Sequence, residues 1–227
     1  MRTLTTAALR LIRAVHRDAA RFACPVSFDE WSLAGSAADL TSTQCVDALL
    51  ELERLGFADV ALDAGGTQSV MLRADATASL RKVFVVFGHD DALRNEVKLT
   101  LTAVGLEPIT IGSLPSAGRT IIEQVERYSD VQYAVVLMTP DDEGHVKDRP
   151  DLSRPRARQN VVLELGYFMG KLGRDRVRAL HRGDLELPSD YGGVLFTPID
   201  RLNFDWRNEL CSEMDDAGLE VDLRGLL

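Results

Sequence analysis

The chain has 227 residues, enough for one large domain or two small ones. Its composition, 45% hydrophobic and 27% charged, is that of a soluble globular protein, and a net charge of −9 argues against a general binder of nucleic acid or anionic membranes. No apolar run approaches the roughly 20 residues needed to span a bilayer, and the arginine-bearing N-terminus lacks the apolar core of a secretion signal.

Residues 3–23 place Leu4, Leu9, Ile12, Val15 and Phe22 at helical spacing. Ser27 suits the N-cap of a short second helix before FDEWSLAG. Thr41 or Ser42 suits the cap of a third, TQCVDALLELERLG, with Gly56 as its stop. FADVAL and TQSVMLRA then read as two strands around a glycine-containing turn. Three helices and a hairpin predict a winged-helix-like module over residues 1–75, followed by a linker at 76–81. Its third helix carries Asp47, Glu51 and Glu53 against Arg54, and no lysine precedes Lys82. A DNA-recognition helix presents basic and amide side chains instead, so no nucleic-acid partner is expected.

From residue 82 to 227 the pattern changes. KVFVVFG and YAVVLMTP are continuous apolar, β-branched runs, as in strands buried on both faces of a parallel sheet. LEPITIG, RVRAL and GVLFTPI are further strands. Helical patterns cover 91–104, 119–129, 159–172 and 203–217. The alternation predicts an α/β domain with a doubly wound, five-stranded parallel sheet. Cys24, Cys45 and Cys211 are far apart and match no metal spacing, and the four histidines are scattered. Reduced thiols, no metal and a cytoplasmic location are expected.

In such sheets ligands bind beyond the carboxyl ends of the strands. The first strand there ends in Phe87-Gly88-His89-Asp90, and the third in Thr139-Pro140-Asp141-Asp142. The second leads into GSLPSAGRT, a Gly-, Ser- and Pro-rich loop that ends beside Arg119. Within RQNVVLELGYFMG, Glu164 is one carboxylate in an apolar run, and Asn160, Glu164 and Phe168 share a helix face. Arg156 and Arg158 precede that helix, where arginines and a helix N-terminus suit phosphate oxygens. Blander roles fit the same residues. Glu164 fits an ion pair with Arg156 or Arg158, and Thr120 with Glu123 fits a capping box. Gly88 fits a tight turn, and His89 and the basic stretch 147–158 fit solvated loops.

KVFVVFGHD, GRTIIEQVERY, YAVVLMTPDDEG, RPRARQNVVLELGYFMGKLGR and LPSDYGGVLFTPID, in that order from Lys82 to Asp200, together resemble a bacterial family. It is that of Toll/interleukin-1 receptor-like (TIR-like) domains of the predicted nucleotide-binding type, found in effectors of cyclic-nucleotide-triggered anti-phage defence. The resemblance implies a flavodoxin-like TIR fold and cleavage of NAD+, as substrate and not cofactor, at the nicotinamide–ribose bond. Its catalytic glutamate, on the third helix of the domain, matches Glu164. The substrate-binding set is then Phe87, Gly88, His89, Asp90, Arg119, Thr139, Asp141, Arg156, Arg158 and Asn160. The segment 112–119 corresponds to a loop that mediates self-assembly, implying a homo-oligomer or filament, with a cyclic nucleotide or partner protein as activator. Two residues depart from the pattern. Phe87 stands where related members commonly carry His, and Asn160 where many animal and plant TIR domains carry Trp.

The chemistry suits the residues. Cleaving this N-glycosidic bond builds oxocarbenium character on the ribose, which a carboxylate stabilises. Nicotinamide leaves as a neutral molecule, so neither a general acid nor a metal is needed. A receiver-like phosphoacceptor module is the rival for Asp90, Asp91, Asp141 and Asp142, but its lysine is missing from FTPIDRLNFDW. A catalytically inactive assembly or signalling adaptor is a third possible role for the chain. A nucleotide-sensing transcription regulator is a fourth, and the acidic third helix disfavours it.

Overall fold

The computed structural model describes residues 4–17, 26–27, 35, 38–62, 68–73, 78, 80–111, 118, 120–188, 196–200, 202 and 205–226. The chain divides into two units, residues 1–81 with 215–220, and residues 82–214 with 221–227. Among the described residues no helix is long and apolar enough to cross a membrane.

In the first unit, α1 (Thr6–Arg17) and α2 (Ser42–Arg54) close over a core of Leu4, Leu9, Ile12, Val15, Leu49 and Leu52. Thr41 is the N-cap of α2, in a capping box with Gln44. Gly56 follows the helix at φ 73°, a conformation glycine adopts freely, and stops it. Strands β2 (Ala58–Leu62) and β3 (Gln68–Leu72) pair antiparallel, and β1 (Val26–Ser27) adds to the other edge of β3. Ser27 pairs with Ser69 at the end of β1. The second helix expected after it falls outside the described residues. Glu51 on α2 is engaged internally, accepting from the backbone N–H of Thr5 (2.9 Å) and its hydroxyl (2.6 Å). Arg13 donates to the Asp215 carboxylate (2.7 Å) and the Leu219 carbonyl (2.8 Å), tying the returning segment 215–220 into this unit. Leu80, within the stretch expected as a linker, is fully buried in the same core.

The second unit runs β4 (Lys82–Val86), α3 (Asp91–Ala103), β5 (Glu107–Ile109), α4 (Ile121–Tyr128), β6 (Tyr133–Met138), β7 (Asp142–Gly144), β8 (Arg154–Arg156), α5 (Gln159–Leu172), β9 (Val177–His181), β10 (Phe196–Pro198) and α6 (Trp206–Asp216). Five parallel strands stand in the order β10-β9-β6-β4-β5, the doubly wound arrangement expected for a TIR-like α/β domain. Numbered within the unit, this is the flavodoxin-like order, and it reverses between β4 and β6. The stretch expected as a long polar loop between β6 and α5 carries an antiparallel hairpin, β7–β8.

Alternation along the strands divides the core. Phe84, Val86, Ala134, Val136, Met138, Val177 and Ala179 face Val125 of α4 and Val161, Leu165, Phe168 and Leu172 of α5. Arg178 falls between Val177 and Ala179 and so points the other way. It is buried to within 1% and paired with Glu209 (2.6 Å) and Glu213, both on α6. A buried guanidinium is tolerated only when paired, so this triad seats α6 on the second face. α4 begins with the expected capping box, in which the Glu123 carboxylate accepts from the Thr120 N–H at 2.7 Å.

Leu165 is fully buried under β4 and β6, whereas Leu163 on the same helix is 62% exposed. Leu165→Ala should cost about 2–5 kcal/mol and Leu163→Ala at most about 0.5 kcal/mol, read from urea denaturation midpoints.

Candidate functional site

Reversal of strand order opens a crevice at the carboxyl ends of β4 and β6. Helix α5 runs back along the sheet from that edge, so its first turns stand beside the crevice. Phe168 packs on Phe84, ring centroids 4.7 Å apart, and fixes the height of the helix over β4. Glu164 lies one turn nearer the helix start on the same ridge. Its carboxylate therefore emerges above the core, at the strand ends. There a pocket of about 210 Å³ is lined by Phe84, Val85, Val86, Phe87, Gly88, Ile111, Arg158, Asn160, Val161 and Glu164.

Glu164 is half-buried, and loss of water raises its pKa from 4.5 to about 7. The Arg158 guanidinium acts in the opposite sense but does not cancel the burial. Arg158 occupies the N-cap position of α5 without a side-chain capping bond. The site thus holds a carboxylate poised near neutrality, one cation, one amide side chain and an otherwise apolar wall. Among the described residues no cluster of His, Cys, Asp or Glu suits a metal.

The expected residues separate into groups. Phe87, Gly88, Arg158, Asn160 and Glu164 line one pocket. Phe87 carries the Arg94 guanidinium 4.8 Å above its ring centre, an attractive cation–π arrangement. Asp90 is the N-cap of α3, accepting from the Leu93 N–H (2.8 Å), and pairs with Arg182 (2.6 Å). The Asp141 carboxylate accepts from the His89 backbone N–H (2.9 Å) and from the Thr139 hydroxyl (3.0 Å). The His89 side chain is exposed, and Thr139 is buried. Arg156 does not join Arg158. It lines a second pocket of about 470 Å³ with Ala157, Gln159, Val162, Glu186, Leu187 and Pro188. Its guanidinium lies against Gly144, where a Cβ would stand 2.4 Å from Nη1. Arg119 and residues 112–117 lie outside the described residues. Phe84, Ile111 and Val161 are pocket walls that apolar runs alone do not mark as such; only the strand order brings them together.

A family model described as the TIR domain of CAP12/Pycsar effector proteins matches residues 82–201, more than half of the chain. The chain belongs to this TIR-domain family. The chain is also similar to curated relatives. The uncharacterized protein YuaY of Escherichia coli (strain K12) is 48% identical over 143 residues, covering 63% of this chain and 47% of that protein. Protein tirC of Dictyostelium discoideum is 37% identical over 127 residues, covering 51% of this chain and 62% of that protein. The Pycsar effector protein BcPycTIR of Burkholderia cepacia is 40% identical over 80 residues, covering 34% of this chain and 25% of that protein. The matches thus cover less than two thirds of each of these relatives.

The raised pKa of Glu164 has a stability consequence for the TIR domain. The folded chain holds this proton more tightly than the unfolded chain, so the stability tied to it is full below about pH 4.5 and lost as pH rises towards about 7. Glu164→Gln removes the group that ionises. The melting temperature of Glu164→Gln minus that of the wild type should climb between about pH 5 and about pH 8, the window of that shift. A difference that stays flat over this range would contradict burial of the carboxyl group.

Proposed function

We propose that this TIR domain cleaves NAD+ at the nicotinamide–ribose bond, as a self-assembling effector of bacterial anti-phage defence. The observation that carries the reading is Glu164, a half-buried carboxylate at the switch point of a flavodoxin-like sheet, in a pocket that is otherwise largely apolar. The pocket, about 210 Å³, is smaller than the roughly 300–1,000 Å³ that encloses a whole drug-sized ligand, and suits the nicotinamide riboside end of the dinucleotide. Phe87 and the apolar wall take the nicotinamide ring. Arg158 takes a phosphate oxygen, and Asn160 a ribose hydroxyl.

In the mechanism the Glu164 carboxylate stabilises the positive charge that builds on the ribose as the C–N bond lengthens. The bonding pair leaves with nicotinamide, which becomes neutral, so no protein group has to protonate it. Water then adds to the ribosyl carbon and gives up one proton, to the Glu164 carboxylate or to solvent, leaving the hydroxyl of ADP-ribose. Low local dielectric strengthens the carboxylate–oxocarbenium attraction, and the same burial raises the pKa of Glu164. Defence and activation by a cyclic nucleotide or a partner protein rest on the family resemblance, and the similarity to Pycsar effector proteins supports an effector role. Assembly through the segment 112–119 rests on the family resemblance. An enzyme that consumed NAD+ without restraint would exhaust its own cell, so a switch is expected.

Nicotinamide release by purified protein tests the reading. Glu164→Ala should lower turnover at least about a thousandfold while the melting transition persists, as loss of a group acting at the transition state does. Near wild-type turnover in Glu164→Ala would end the catalytic assignment. Because the ionised carboxylate is the active form, kcat/KM should rise with pH through an apparent pKa of about 7.

The switch is tested separately. Specific activity should rise with protein concentration or on addition of cyclic nucleotides, alongside growth in light scattering. Constant specific activity from a monomer would remove assembly from the mechanism and leave the Glu164 chemistry standing.

A further inference from the structure

Parallel pairing of β4 with β6 runs from Val83 opposite Tyr133 to Val86 opposite Val136. Beyond it the strands part, because the chain leaves β4 for α3 and leaves β6 for the β7–β8 hairpin. The wall of the Glu164 pocket, Phe87 and Gly88, begins where these ladder hydrogen bonds stop. Such a wall needs another tie to keep its place.

One carboxylate oxygen supplies it. Asp141 Oδ2 accepts from the His89 backbone N–H at 2.9 Å and from the Thr139 hydroxyl at 3.0 Å. The Asp141 N–H donates to the Thr139 carbonyl at 2.8 Å, a tight turn that aims the side chain across the gap. Thr139 is buried to within 2%, so the hydroxyl that orients the carboxylate is itself fixed. Gly88 completes the fit. A Cβ there would stand 1.7 Å from Asp141 Oδ2 and 3.0 Å from Cγ. The carboxylate occupies the volume that any side chain at position 88 would need.

We infer that Asp141 is a positioning residue for the Glu164 pocket, and that Gly88 is glycine to admit its carboxylate. The inference rests on the reading of that pocket as the active site. Asp141 is not itself among the residues lining the pocket, so it acts through the 87–89 segment and not on the substrate. Hydrogen bonds to a charged acceptor are stronger than neutral ones, and this one holds a backbone N–H that the sheet no longer serves. The next residue is held as well, since Asp90 caps α3 and pairs with Arg182. The 87–90 segment is thereby anchored towards β6 at His89 and towards the end of β9 at Asp90.

The test combines amide hydrogen exchange, melting and NAD+ cleavage on the full chain. Asp141→Ala should speed exchange of the His89 amide by about 10- to 100-fold, the loss of one charge-assisted hydrogen bond. It should lower kcat/KM for NAD+ by about tenfold or more while leaving the pH limb of Glu164 in place, since Glu164 itself is retained. Asp141→Asn keeps one acceptor oxygen and should recover part of both effects. Gly88→Ala alone should lower melting temperature and activity. Gly88→Ala combined with Asp141→Ala should be no worse than Asp141→Ala, because the obstructing carboxylate is gone. Unchanged His89 exchange in Asp141→Ala, or strictly additive losses in the double variant, would overturn the inference. If the wild type cleaves no NAD+, the activity reading falls. His89 exchange and the melting temperatures of the three alanine variants then decide the brace by themselves.

Discussion

Strand order in the parallel sheet reverses between β4 and β6, and the other features of the site follow from that constraint. Neighbouring parallel strands whose connections leave in opposite directions part at their carboxyl ends, and a crevice remains. Helix α5 must cover one face of the sheet, because Phe84, Val86, Val136 and Ala179 present an apolar surface there. Its packing through Leu165 and Phe168 leaves the preceding turn at the crevice. Glu164 sits on that turn. Its surroundings arise from backbone topology and core packing together, and those surroundings push its pKa to about 7.

Acidic and basic residues clustered near strand ends in the sequence play unlike parts in the fold. Asp90 caps a helix and pairs with Arg182, and Asp141 receives hydrogen bonds from loop and strand. Asp90 accepts through both carboxylate oxygens and Asp141 through Oδ2. Glu164 has the opposite environment, with burial as the largest influence on its ionisation. A carboxylate satisfied by protein donors is inert as a partner for a cation forming in a substrate. One held in a poorly solvated pocket attracts such a cation strongly, because little else compensates it. The contrast separates acids that receive protein hydrogen bonds from one set in the pocket wall.

The second face of the sheet places its charges under the same constraint. Arg178, in the middle of β9, is enclosed and answered by Glu209 and Glu213 from α6. Burial, and after it the Glu213 charge, drives the hydroxyl of Tyr133 on the neighbouring strand towards the neutral form, with Arg178 acting against them. The charged triad and the buried Trp206, Leu210, Cys211 and Met214 together hold α6, whereas apolar residues alone face the sheet from α5.

Periodicity determined much of this protein in the sequence alone. Continuous β-branched runs cannot be exposed, so KVFVVFG and YAVVLMTP had to become buried strands, and the apolar repeat of α5 matches its observed span, Gln159–Leu172. Capping chemistry is local too, and the Thr120–Glu123 box was legible for that reason. Glu164 was legible because a lone carboxylate in an apolar helical run requires an explanation. Other features depended on contacts between distant segments. Strand β1 is two residues long and exists only through pairing with β3, so no local pattern marks Ser27 as its member. The division of Arg156 from Arg158 into different pockets follows from the path of β8 into α5. The link from Asp141 to His89 and Gly88 spans about fifty residues, and only the adjacency of β4 and β6 creates it. Local preference is written in neighbouring residues, whereas the side chain that a carboxylate or a glycine meets is decided when the sheet assembles.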